Sequence, residues 1–133
     1  MKNIKYLLFL FIMVSLTVFA EDEKEICKIK EISISPTHKT VVDKGKIKGH
    51  QCVSYNFLAK KGDVLTAVIN TNNDADADAD ADADVVLFDS YDFIPGEKYI
   101  IPENGEYQLR VIHYKAAAIK NKISYYKIKI NLQ

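Results

Sequence analysis

The chain has 133 residues, with 18 basic and 18 acidic side chains that cancel to a formal charge of zero at pH 7. That length suits one domain with a single core. The charge balance gives no argument for nucleic-acid binding, whose electrostatic signature is a basic excess.

Lys2 and Lys5 form a positive n-region, Tyr6 to Phe19 an apolar run, and Val18-Phe19-Ala20 a small-residue cleavage site. This is the pattern of a secretory signal peptide cut after Ala20. Glu21 follows the cut rather than Cys, so no lipid-anchor cysteine is expected, and no second apolar run is long enough to span a bilayer. The expected mature chain is an exported single domain over residues 21–133. Without Lys2 and Lys5 it is slightly acidic, but six of its 18 acids sit in one repeat, and outside that repeat the body is mildly cationic. Such a surplus suits docking into an acidic cleft as well as ordinary solubility.

Cys27 and Cys52 are the cysteines of this exported chain. In an oxidising compartment the default is a disulfide between them. A catalytic thiol or a metal ligand is the alternative, without a CxxC or Cys/His cluster to favour it.

Ile29 to Ser35 alternates through Ile32 and Ile34 and predicts a first strand, stopped by Pro36. Thr37 to Lys44 is polar apart from Val41-Val42, a loop with a short strand inside it. Lys46 to Ala59 is the clearest strand pattern. Ile47, Val53, Tyr55, Phe57 and Ala59 fall on one face, and Lys48, His50, Cys52, Ser54 and Asn56 on the other. The run is long for one strand, so Gly49 is expected to mark a bend, a bulge or a turn. Lys60-Lys61-Gly62-Asp63 reads as the turn of a hairpin joining this strand to Val64–Asn70.

From Asp74 to Asp84, Asp and Ala alternate strictly. Asp is a poor strand former and Ala buries little area, so a solvated loop is expected. Calcium binding by its carboxylates is the functional alternative, although the run lacks the glycine and terminal glutamate of an EF-hand loop.

Val85–Phe88 is a short apolar strand, and Asp89–Gly96 a loop. Glu97–Ile101 is a strand expected to pair with Glu106–Tyr114 through a turn at Pro102-Glu103-Asn104-Gly105. After Tyr114, Lys115 to Asn121 contains helix formers enough for one or two docked turns. Tyr126, Ile128, Ile130 and Leu132 then alternate with Lys127, Lys129 and Asn131, giving a last strand with a cationic outer face. The total of about seven or eight strands means an all-β fold, a small antiparallel sandwich or barrel.

Catalytic motifs are missing: there is no HExxH, no GxSxG and no phosphate-cradling glycine loop. His38, His50 and His113 lack metal-ligand spacing, and His113 shares a face with Leu109 and Val111 as a core or rim residue would. Neither catalytic nor metal-binding residues are assigned, no cofactor is expected, and the chain reads as a non-enzyme.

The run GKIKGHQCVSYNFLAKKGDVL from Gly45, then VVLF, then IIPENGEYQLRV with KNK and YYKIKI after it, resembles the periplasmic inhibitors of goose-type (g-type) lysozyme. The similarity spans roughly Gly45 to Leu132, and the AKKG turn and the P-x-x-G-x-Y-x-L-R-V run are its most specific parts. More distantly the chain is similar to β-sandwich modules of the pre-peptidase C-terminal type. The resemblance implies an exported sandwich that blocks a host peptidoglycan hydrolase by filling its cleft, with goose-type lysozyme as the protein partner and no role for nucleic acid or membrane. It also implies an inhibitory surface made by an aromatic after the I-K-G motif and two arginines beyond the L-R-V strand. Those positions hold His50, Lys115 and Ile119 here. Lys115 keeps the charge without arginine's bidentate fork, Ile119 loses it, and His50 keeps a flat ring able to donate a hydrogen bond. The alternative reading is a secreted binding module of the same fold, for cell-wall carbohydrate or calcium, without inhibitory activity.

Overall fold

The computed structural model describes residues 27–35, 37–72 and 83–133. The expected signal peptide and most of the Asp-Ala run lie outside the described residues.

Eight strands and one short helix make up the described chain: β1 (Cys27–Glu31), β2 (Thr40–Lys48), β3 (Cys52–Ala59), β4 (Val64–Asn72), β5 (Ala83–Leu87), β6 (Tyr99–Ile100), β7 (Gly105–His113), α1 (Lys115–Ile119) and β8 (Ile123–Leu132). They form two four-stranded sheets, β1-β3-β7-β5 and β2-β8-β4-β6. All pairings are antiparallel except β1 with β3, which run parallel. The expected sandwich is therefore present, and its core lies between the sheets. Val53, Tyr55, Phe57, Val85, Leu109 and Val111 face inward from the first sheet. Ile47, Leu65, Ala67, Ile128, Ile130 and Leu132 meet them from the second. The alternation seen in β8 is reproduced residue by residue, with Tyr126, Ile128, Ile130 and Leu132 buried and Lys127 and Lys129 exposed.

Several sequence expectations change once the sheets are assigned. The long Lys46–Ala59 pattern is two strands in different sheets. β2 ends at Lys48, Gly49 and His50 turn, and β3 starts at Cys52. Gly49 has φ +58°, a left-handed conformation that favours glycine. Most of the expected loop at 37–44 belongs to β2, whose inner side carries Val41, Asp43, Gly45 and Ile47, so that the inward Asp43 and Gly45 and the outward Val42 hid the alternation. The first strand starts at Cys27 and ends at Glu31, ahead of the Ile32/Ile34 alternation that predicted it. Its position follows the disulfide and the in-register pairing of Cys27 with Cys52.

The Lys60–Asp63 turn does not make a hairpin. β3 pairs with β7 and β4 with β8, so the turn carries the chain from one sheet to the other. Similarly, the strand at Glu97–Ile101 shrinks to Tyr99–Ile100 and pairs with β4 rather than β7. Ile101 is fully buried and donates its N–H to Asp63 O at 2.8 Å, which holds this segment on the second sheet. Finally, Ala83 and Asp84, read as the end of a loop, open β5 opposite His113 and Ile112.

Near the open edge between β1 and β2, a polar cluster bridges the sheets. Asp43 Oδ2 accepts from Lys30 Nζ and from Tyr55 OH, both at 2.7 Å, and the Tyr55 and Tyr126 hydroxyls are 2.8 Å apart. Gly45 is required beside it. A Cβ there would lie 2.8 Å from Tyr126 Cε1, well inside van der Waals contact.

Candidate functional site

His50, Lys115 and Ile119 sit on elements that meet at one end of the sandwich. His50 is in the exposed turn between β2 and β3, not on a strand face, while Lys115 and Ile119 open and close α1. His50 and Ala118 line one groove of about 180 Å³, together with Gln51, Phe88, Arg110 and His113.

Gly49 joins the two elements. Its N–H donates to Lys122 O at 2.9 Å, just beyond α1, and its carbonyl accepts from His113 Nδ1 at 2.9 Å, just before α1. A carbonyl can only accept, so Nδ1 carries a proton, and in the neutral ring Nε2 accepts from Ser124 Oγ at 2.8 Å. His113 is 8% exposed, as its place beside Leu109 and Val111 suggested. It is a structural tie under the site rather than part of its outer surface.

α1 is short because its sequence supplies helix formers for little more than one turn. Ala118 N–H donates to Tyr114 O, Lys120 N–H to Ala116 O, and Asn121 at φ +58° ends the helix. Ala117 and Ala118 are buried against the sandwich. These alanines dock the helix, and Ile119 stays 65% exposed. Lys115 is exposed as well. The helix is entered through Tyr114, whose hydroxyl donates to Asp84 Oδ2 on β5. That bond holds the Tyr114 phenol in its neutral form, pushed up to about 12, with partial burial adding to the effect.

Sequence reasoning missed Arg110 and Phe88 in this region. The Arg110 guanidinium lies over the Phe88 ring, 3.8 Å from its centroid, and Nη2 donates to Gln108 Oε1 at 2.9 Å. A signal existed, since Arg110 is the only arginine in the chain. Alternating with Leu109 and Val111, it falls on the face away from the core.

A larger groove of about 430 Å³ lies toward the other end of β3, between Glu31, Ile34, Phe57, Leu58 and Glu106. Its charged lining is acidic, the wrong sign for an acidic cleft. Among the described residues no cluster of three or more His, Cys, Asp or Glu side chains could hold a metal ion.

No protein-family model matches the chain. The chain is 27% identical, over 135 aligned positions, to an inhibitor of g-type lysozyme from Escherichia coli (strain K12), with 99% of this chain and 98% of that protein covered. Its fold is that of PliG, a periplasmic lysozyme inhibitor of g-type lysozyme. The Aeromonas hydrophila structure matches with a TM-score of 0.64 at 17% identity, over 80% of this chain and 97% of the other. The Salmonella Typhimurium structure matches with a TM-score of 0.61 at 24% identity, over 80% and 98%. The resemblance expected from the sequence is thus met in both sequence and fold.

Proposed function

We propose that this chain is a proteinaceous inhibitor of goose-type lysozyme that acts in the periplasm, without catalysis and without a cofactor. The observation that carries this reading is the nearly end-to-end similarity to the Escherichia coli inhibitor. Its mode of action is occlusion of the peptidoglycan cleft. Lysozymes cleave with carboxyl groups in an open cleft, and a cation-bearing knob on a rigid sandwich can fill that cleft and exclude substrate. The β2–β3 turn and α1 form such a knob, with His50 and Lys115 as donors and Ile119 as an apolar contact beside them. The Gly49 hydrogen bonds on both sides of α1 support it, because a preorganised surface loses little entropy on docking.

The experiment is lysis of peptidoglycan by goose-type lysozyme as the purified mature protein is titrated in, with a chicken-type lysozyme run in parallel. Stoichiometric loss of only the goose-type activity is expected. Undiminished lysis at micromolar protein would overturn the reading and leave the fold as the only shared property.

A further inference from the structure

Arg110 stands apart from the chain's other cations. It lies on the outer face of the first sheet, opposite Ser54 of β3 and Val86 of β5. Stacking on Phe88 fixes the plane of its guanidinium, and Gln108 takes one hydrogen from Nη2. Of the five N–H groups an arginine carries, this is the one with a side-chain acceptor among the described residues. Nε is buried without a hydrogen-bond partner. Leaving a buried donor unmatched is costly, and each such group in a native fold calls for an explanation. Among the described residues Arg110 forms no salt bridge, and Asp84, which shares its sheet face, is engaged with Tyr114 OH and with the Val85 N–H.

We propose that the groove between the β2–β3 turn and Phe88 is a carboxylate-binding subsite, with Arg110 as its fork and His50 at its rim. The ligand is an acidic side chain presented by the protein partner, so the inference rests on the inhibitor reading and names a contact within it. The chemistry is specific. A planar guanidinium held over an aromatic ring presents parallel N–H bonds that match a carboxylate's two oxygens, and stacking lowers the entropy lost when they form. The groove has room for several water-sized groups at about 30 Å³ each, enough for a carboxyl head and its methylene. It also adjoins Ala118 of α1, so a partner gripping Lys115 and His50 would present its neighbouring acid here.

A sole arginine makes the test direct, because the ¹⁵N-labelled protein has one Arg Nε–H resonance to follow. Goose-type lysozyme is titrated in first, and acetate and inorganic phosphate are titrated separately. The expected result is a saturable shift of the Arg110 Nε–H signal with lysozyme and a weaker shift with acetate. Arg110→Lys keeps the charge without the fork, and is expected to weaken inhibition about 30-fold, the scale of an interface hot spot, with an unchanged melting temperature. An unmoved Arg110 signal while the backbone signals of His50 and Gln51 shift would overturn the subsite. So would equal inhibition by Arg110→Lys, or a response to phosphate that exceeds the response to acetate. If lysozyme moves no signal at all, the inhibitor reading fails on its own, and the acetate arm still decides whether the groove takes a carboxylate.

Discussion

The Gly49 carbonyl accepts a hydrogen bond from His113 Nδ1 at 2.9 Å, and through that bond the β2–β3 turn is fixed to the end of β7. Gly49→Ala would force a side chain into a left-handed backbone and against the Asn121 amide. We expect it to cost about 1–3 kcal/mol, the usual scale of such strain. His113→Phe keeps the ring volume but strands the Gly49 carbonyl and the Ser124 hydroxyl, and should cost about 1–3 kcal/mol for each acceptor or donor left unmatched. Chemical denaturation of both variants measures these losses.

The Lys30–Asp43–Tyr55 cluster predicts a pH dependence. Burial pushes the Asp43 carboxyl up, but hydrogen bonds from Lys30 and Tyr55 and the Lys30 charge outweigh it, and the net shift is below the ordinary 3.8. A carboxyl with a depressed folded value contributes stability that is fully present above the unfolded value and lost as pH falls through the folded one. Melting temperature should therefore drop on acidification below about pH 4 more steeply in the native protein than in Asp43→Asn. Equal acid profiles for the two proteins would show that the cluster adds no pH-dependent stability.

Tyr55 tests the same cluster without changing its charge. Its hydroxyl donates to Asp43 and contacts Tyr126, and burial, with both hydrogen bonds, keeps the phenol protonated. Tyr55→Phe should destabilise by about 1–2 kcal/mol, and Gly45→Ala, which drives a methyl into the Tyr126 ring, by about 1–3 kcal/mol. Urea midpoints measure both.

The Cys27–Cys52 disulfide joins residues 25 positions apart whose Cα atoms are 4.5 Å from each other. In the chain-entropy model a link of this span contributes about 3.5 kcal/mol. The Cys27→Ala/Cys52→Ala double variant should lose that amount, and a reductant should lower the native protein's midpoint toward it.

Restoring charge at the family positions is the sharpest test of the site. Ile119 is 65% exposed and leaves the docking of α1 to Ala117 and Ala118, so Ile119→Arg should fold normally. With Lys115→Arg it should tighten lysozyme inhibition about tenfold or more, the gain expected of a bidentate contact over a point charge or none. Inhibition constants measure the change, and an unaltered constant would remove α1 from the contact surface.

Strand identity was legible wherever one face is apolar. Val53, Tyr55, Phe57 and Ala59 are buried as their alternation implied, and so are the inward residues of β8. Pairing was less legible, because a turn such as Lys60–Asp63 has the same composition whether it closes a hairpin or bridges two sheets. β2 was obscured because two of its inward positions are Asp43 and Gly45 and one of its outward positions is Val42, which breaks an alternation scored by hydrophobicity. Gly49 was marked as a break, but its role as the tie between turn and helix depends on His113, which lies 64 positions away. The residues His50, Lys115 and Ile119 came from resemblance alone. Arg110 was passed over because its stacking partner, Phe88, belongs to another strand end.

The passage from β2 to β3 through Gly49 has a practical consequence for anyone seeking a minimal inhibitor. His50 is held between a strand of one sheet and a strand of the other, and the α1 segment leaves β7 of the first sheet and enters β8 of the second. A synthetic peptide copying either segment would lack the half of the scaffold that shapes it. Miniaturisation of this surface would have to retain both layers, and only the finished sandwich should be recognised by its target.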